Sequence, residues 1–401
     1  MTSSLNSDKN KRNPFKRAEI HVPRGGQEVA GATGHGGVAV GTAGATGASD
    51  AAETMQEEVL IRRRRKHHKR RNRRIRIAVI VAVALVLIIG GVAFAYNALI
   101  AAGENNLVQE AQDINTEGVS YDEGKTVTYN GHTYQLKENM TSVCLIGYDS
   151  TESREAKGQV GQADTIMVLA MDTSTGETSI IAIPRDSMVD VAEYLSGSYS
   201  GMDQMQICLA FSYGNSKEEG CELTTKAAAR VLYNMPINYY MALDMSGVGA
   251  LSDAIGGVSI VPSASIPNTK IAEGKPIVLF GENALAYVRW RSHSNVDASL
   301  QRQERQIQFA QAFASQVITA AKGDAGLIVQ LYNTLSEYSI TNLGLSEFTY
   351  LANCVLNNGV SAVDFKSLSG TMKQGDTYAE FYLDKDSVYQ TVLDVYYTQV
   401  D

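Results

Sequence analysis

Four arginines, Arg289, Arg291, Arg302 and Arg305, crowd into the segment Gly281 to Gln306, GENALAYVRWRSHSNVDASLQRQERQ. Guanidinium forks match phosphate oxygens bidentately, so several converging arginines suit a diphosphate better than a single carboxylate. If Arg289-Trp290-Arg291 is extended, alternation turns both guanidinium groups to one side and Trp290 to the other. Arg302, Arg305 and Gln306 fall one turn apart at the start of a helical pattern, which brings them to one face. Two cations in that place oppose the helix dipole, and a bound polyanion would remove the conflict. The competing reading is a set of surface ion pairs with Glu282, Asp297 and Glu304.

A second group of charged residues stands at strand ends. The runs SVCLIGY, TIMVLAM and TSIIAIP are near-continuously apolar, as strands covered on both faces are. DTSTGE between the second and third is a turn signal. Pairing those two strands antiparallel about Ser174 sets Asp164 opposite Pro184 and Arg185. Asp149 joins them if the first strand ends at the same edge. Two carboxylates beside arginines make either a structural salt bridge or a seat for Mg²⁺, which takes one or two carboxylates plus substrate phosphate oxygens. Cations on a diphosphate stabilise the charge that develops in phosphoryl transfer, and an aspartate can accept the proton of an attacking hydroxyl.

The chain that must position these groups is unevenly charged. Its 401 residues carry a net charge of −8, yet residues 62–76 hold 11 basic and no acidic residues, while residues 77–401 hold 18 basic and 36 acidic. An acidic body is a poor partner for nucleic acid. The apolar run from Ile77 to Ala95, with apolar character extending to about residue 100, is long enough to cross a bilayer as a helix. With the basic collar before it, the positive-inside rule puts the N-terminus in the cytoplasm and residues 103–401 outside, and the collar can also touch anionic lipid. Residues 1–61 lack helical or strand periodicity and are expected to be a disordered cytoplasmic tail. Residues 103–124 read as a polar stalk. The four cysteines lack zinc spacing. They are expected as buried free thiols, with a Cys208–Cys221 disulfide as the alternative outside the cell.

The folded domain is expected over residues 125–401, opening on a hairpin about Asn130-Gly131. From Asp203 the pattern turns helical. YYMALDM is strand-like, MSGVGALSDAIGG is a short helix ended by glycine, and VSIVP is again a strand. Leu300 to Ala321 forms a long helix with an apolar stripe at Ile307, Ala310, Phe313, Val317 and Ala321. VDFKSLSG adds a late strand. Alternating strands and helices specify an α/β domain, a central mixed sheet between helical layers.

Together these motifs resemble the LytR-CpsA-Psr family of bacterial envelope proteins. The carrying pieces are LIGYDS, QADTIMVLAMDTSTGETSIIAIPRDS, DAIGGVSIVP and LFGENALAYVRWR, followed by Asp297 and RQERQ. The resemblance implies a three-layer α/β/α domain in a Gram-positive cell membrane. It implies a Mg²⁺-dependent (or Mn²⁺-dependent) phosphotransferase that moves a glycopolymer, such as teichoic acid or capsular polysaccharide, from a polyprenyl diphosphate carrier to peptidoglycan. The lipid tail would lie in an apolar tunnel between sheet and helices. Carried over residue by residue, Asp149 and Asp164 would sit at the metal, and Arg185, Arg289, Arg291, Arg302 and Gln306 would hold the diphosphate, with Arg305 in the same RxxRQ motif. Where the family often reads KINAAYAYG, this chain has QICLAFSYG, so Gln206 replaces a basic residue and Cys208 a polar one. Hydrolysis of a polyprenyl diphosphate and non-enzymatic sensing of lipid-linked phosphates are the alternatives.

Overall fold

The computed structural model describes Met55, Ile75 and residues 77–107, 125–149, 160–195, 197–292, 295–358 and 363–401. The expected disordered tail, apart from Met55, and most of the basic collar lie outside these residues.

Helix α1, Ile77–Leu107, is 31 residues long, and its most apolar stretch is wholly unburied by protein. At 1.5 Å per residue it measures about 46 Å, longer than the ~30 Å hydrocarbon core of a bilayer. Of the expected stalk, residues 103–107 belong to this helix and residues 108–124 lie outside the described residues. Leu107 is buried with Leu351 and Cys354, Asn106 Nδ2 donates to Glu347 Oε1 at 2.5 Å, and a Cβ on Gly103 would collide with the Ser346 carbonyl. Glycine is thus required where the helix lies against the domain.

The strands β1 (Thr126–Tyr129) and β2 (His132–Leu136) form the expected hairpin, with Asn130 and Gly131 at φ of 51° and 86°. The strands that follow build the core: β3 (Met140–Tyr148), β4 (Ala163–Asp172), β5 (Thr178–Ile183), β8 (Tyr239–Asp244), β11 (Ser339–Thr341) and β12 (Val363–Ser367). Their order is β11-β8-β3-β4-β5-β12. β3 with β8 and β5 with β12 are parallel, while β3–β4, β4–β5 and β8–β11 are antiparallel, so the sheet is mixed.

Alternation along the central strands fills both faces. Cys144, Ile146, Ile166, Val168, Ile181 and Ile183 face one side. There they meet α2 (Lys217–Val231), through Ala227 and Ala228, and α8 (Lys385–Tyr396), through Val388 and Val392. On the other side, Val143, Met171 and Met241 meet α7 (Leu345–Asn358) through Leu351. Met167, Ile180 and Ala182 are covered there by Ile307 of the long helix α5 (Ala298–Ala321). Three layers result.

The segment after Arg185 departs from expectation. Asp203 lies in a strand: β6 (Met188–Leu195) and β7 (Ser198–Gln206) make a hairpin, and a 3-10 turn over Ile207–Tyr213 follows before α2. The helix α3 (Gly247–Ala254) and strand β9 (Val258–Ile260) form as expected; β9 pairs antiparallel with β10 (Ile277–Leu279), and α6 (Gly326–Tyr338) follows α5. Near the C-terminus, β13 (Gly370–Gln374) and β14 (Ala379–Leu383) pair as a further hairpin. β15 (Tyr397–Gln399) closes the chain on β2. No local sequence signal distinguished these late pairings.

Candidate functional site

The register of β4 with β5 sets Ile166 against Ile183; two residues further on, it brings Asp164 to Arg185 as the turn predicts. Antiparallel pairing of β3 with β4, Tyr148 against Ala163, delivers Asp149 to the same edge. The conjectured shared edge therefore exists.

Arg185 Nη1 pairs with Asp164 Oδ1, and its Nη2 donates to Gln162 Oε1 at 2.9 Å and to Cys208 Sγ at 3.1 Å. Arg302 Nη2 reaches the same Asp164 oxygen at 3.1 Å. Burial alone would lower the Arg185 pKa, but its contacts with the Cys208 sulfur and the Asp164 and Asp186 carboxylates more than offset this and raise it. Arg302 goes the other way: burial pulls its pKa down, attraction to Asp164 opposes this, and repulsion from Arg185 and Arg291 adds to it. Arg185 Nε lies 3.4 Å from Asp186 Oδ1 in a further ion pair, and the buried Nε of Arg302 has no hydrogen-bond partner. Arg185 and Arg302 crowded on one carboxylate beside Arg291 are suited to an additional anion.

Arg289, Arg291 and Arg305 are placed by two helices. Helix α4, Gly281–Arg289, runs through Arg289, and Trp290 is the first extended residue, at φ −58° and ψ 139°. The chain leaves the helix later than the expected point before Arg289. Arg289 Nη2 nevertheless turns to Asp149 Oδ2, at 2.5 Å, so its partner is a strand-end aspartate and not an acid of its own segment.

Arg305 is not a wall of the site. It is 2% exposed, its Nε donates to Tyr287 O at 3.2 Å, its Nη1 to Gln301 O at 3.1 Å and its Nη2 to Trp290 O, and its guanidinium stacks 5.1 Å from the Trp290 ring. Gln306 Nε2 donates to Val288 O at 3.2 Å. Apart from the Gln301 carbonyl of α5 itself, these are the final carbonyls of α4, which a helix leaves unsatisfied and where positive charge is favoured. The dipole conflict expected for a cation at the start of α5 is relieved by the end of α4. The buried face of α5 accordingly begins with Arg302, Arg305 and Gln306 and continues through Phe309 to Ile318 and Ala321. The expected stripe of Ile307, Ala310, Phe313 and Val317 sits to its side, half-buried.

Asp149, Asp164, Arg185, Arg289, Arg291, Arg302 and Gln306 all line one open cavity of about 1130 Å³. Gln162, Asp186, Gln206 and Tyr378 line it too and were not singled out as site residues. Asp186 stands in the quoted motif PRDS, whereas Tyr378 carried no signal. Gln206 donates through Nε2 to Asp186 Oδ1 at 3.2 Å and to Ala379 O at 2.6 Å, so it ties protein segments together where a basic residue was expected. The four cysteines are free and buried. Cys208 is occupied by Arg185, and Cys221 packs with Cys144 in the core, so the alternative disulfide is not formed.

Among the described residues, no group of three or more His, Cys, Asp or Glu converges as a cation cage. Asp149 and Asp164 at one edge fit a hard cation that takes one or two carboxylates and completes its shell from water and substrate. Both arginines land on Asp164 Oδ1, leaving Oδ2 outside those bonds.

The LytR_cpsA_psr family profile matches residues 102–394. The chain belongs to this family. The polyisoprenyl-teichoic acid–peptidoglycan teichoic acid transferase TagV of Bacillus subtilis (strain 168) is 26% identical over 269 residues, 64% of this chain and 64% of that protein. The chain thus spans just under two thirds of that relative's length. A transferase named TagU from Enterococcus faecalis (strain ATCC 700802 / V583) is 24% identical over 253 residues, 63% of this chain and 74% of that protein. The crystal structure of B. subtilis TagV superposes with a TM-score of 0.52 at 23% identity, covering 65% of this chain and 96% of that one. Protein gbs0355 from Streptococcus agalactiae gives 0.52 at 19%, covering 65% and 90%. These two structures share the fold.

Proposed function

We propose that this family member is a phosphotransferase. It moves a glycopolymer, with its proximal phosphate, from a polyprenyl diphosphate carrier to a hydroxyl of peptidoglycan at the outer face of the cytoplasmic membrane. The observation that carries the reading is the convergence of Arg185, Arg289, Arg291 and Arg302, from three separate elements, with Asp149 and Asp164 on one open cavity. Two further facts support it. The relatives are named as transferases of teichoic acid from a polyisoprenyl carrier to peptidoglycan, and α1 is long and apolar enough to hold the domain at a membrane.

In this reading Arg185 and Arg302 grip the diphosphate from the sheet side, and Arg289 and Arg291 close on it from the end of α4. The acceptor hydroxyl attacks the glycan-side phosphorus and its proton passes to a carboxylate of the aspartate pair. The bond from that phosphorus to the bridging oxygen breaks, and its electron pair leaves on the lipid monophosphate. The arginines stabilise the negative charge gathering on the phosphoryl oxygens. Magnesium, held by Asp149 and Asp164, would add positive charge against the same oxygens.

Acceptor dependence tests the reaction class. The full chain in detergent, given a lipid diphosphate glycan, Mg²⁺ and peptidoglycan fragments, should form a phosphodiester-linked product, with lipid monophosphate released in step. Equal release without any acceptor would mean that water is the nucleophile and the enzyme a pyrophosphatase. Tight lipid binding with no turnover for any acceptor would mean a sensor.

A further inference from the structure

The cavity has two walls of different chemistry. One carries the arginines and aspartates. The other is uncharged and comes from the hairpin β13–β14, whose tip contributes Gln374, Thr377, Tyr378 and Ala379. Tyr378 is 69% exposed.

The hairpin tip is tied to the diphosphate grip. Phe381 N donates to Asp186 O at 2.8 Å, Ser187 and Phe381 form a parallel bridge, and Gln206 Nε2 joins Ala379 O to the Asp186 carboxylate. Gly375 N donates to Tyr378 O at 2.9 Å across the turn. Asp186 and Ser187 directly follow Arg185, so the tip is held in register with the Arg185 guanidinium. The cavity is larger than the ~300–1000 Å³ that takes a whole drug-sized ligand, and a diphosphate alone leaves much of it unfilled.

From this juxtaposition we infer that the β13–β14 tip is a sugar subsite, with Tyr378 as its platform and Gln374 and Thr377 as hydroxyl-binding groups. A pyranose presents a face of C–H bonds and an edge of hydroxyls. An aromatic face with its negative quadrupole matches the former, and an amide and a hydroxyl, each both donor and acceptor, match the latter. An uncharged wall beside a cationic one is what a substrate needs when its phosphates are charged and its sugars are neutral. Such a sugar has two sources: the first residue of the transferred glycan, or the acceptor residue whose hydroxyl attacks. The inference rests on the transferase reading for its biological meaning, but not for its test.

The test is ligand-observed NMR on the full chain in detergent with two soluble probes: an N-acetylglucosamine–N-acetylmuramic acid disaccharide for the acceptor, and N-acetylglucosamine 1-phosphate for the transferred glycan. Tyr378→Ala should weaken one of them by about 5–10-fold, the scale of one aromatic contact, and Tyr378→Phe should keep most of the affinity. Arg302→Ala should weaken the sugar phosphate and leave the disaccharide unchanged. Loss of disaccharide binding in Tyr378→Ala identifies the acceptor's sugar, and loss of sugar phosphate binding identifies the donor's. Unchanged binding of both probes in Tyr378→Ala, or no binding of either to the wild type, overturns the subsite. Transfer activity read alongside separates the two ideas. Normal transfer by Tyr378→Ala with unchanged KM for both substrates removes the subsite and leaves the transferase. Sugar binding that depends on Tyr378 in a wild-type chain inactive on all acceptors does the reverse.

Discussion

The two ion-pair groups of the site differ in depth, and the difference separates what holds the fold from what handles substrate. In the inner group, the side chains of Asp164, Arg185 and Arg302 are 18%, 14% and 7% exposed. In the outer group, Arg289 is 50% exposed against Asp149 at 22%. Removing one member of a buried charge cluster strands the others without compensation, whereas an exposed pair is screened and contributes little. On the transferase reading, the inner group serves stability and chemistry together, and the outer one, which contributes little to the fold, serves the substrate.

The largest effect should come from Asp164→Ala, which leaves Arg302 without its carboxylate and Arg185 with Asp186 alone. Stability should fall by about 3–5 kcal/mol, read as a lower urea midpoint, with activity lost as well. A loss under about 1 kcal/mol would mean that the cluster is better hydrated than its depth implies. Next, Arg305→Ala should cost about 2–3 kcal/mol by leaving carbonyls at the end of α4 unpaired. Lysine should not restore it, because an ammonium lacks the fork that spans them. Gln206→Ala should cost about 1 kcal/mol, and hydrogen exchange at Ala379 and Phe381 should quicken as the hairpin loosens. Arg289→Ala should change stability by less than about 0.5 kcal/mol.

A pH series bears on the buried side of the molecule. Burial pushes the Cys144 and Cys221 thiols up to about 12, so both stay protonated in the native state where an unfolded thiol has begun to ionise, near pH 8.5. The stability this contributes is complete below pH 8.5 and is lost as pH climbs toward 12. Iodoacetamide at pH 9 should label neither thiol until denaturant is added. Rapid native labelling would show that the core opens there.

The same division explains what could be read from sequence. The inner edge was legible because a turn signal between two apolar runs fixes a register, and register alone carries Asp164 to Arg185. Asp149 followed from strand order. The α4–α5 contact was not legible. Helical spacing placed Arg302, Arg305 and Gln306 on one face but could not say that the final carbonyls of α4 would lie against it, so Arg305 was grouped with the binding arginines. Nor did composition reveal the β13–β14 wall. GTMKQGDTYAEFYL is a short exposed hairpin whose meaning comes from docking on Asp186 and Ser187, nearly two hundred residues away in sequence.

The most direct test of the central claim sets stability against transfer in one variant. Arg289→Ala, as the full chain in detergent with a lipid diphosphate glycan and peptidoglycan fragments, should melt with the wild type yet lose at least ~100-fold in phosphodiester formation, the scale of one removed charge-stabilising donor. Wild-type transfer by that variant, or a loss of transfer matched by a loss of folding, would contradict the assignment of the outer arginines to substrate.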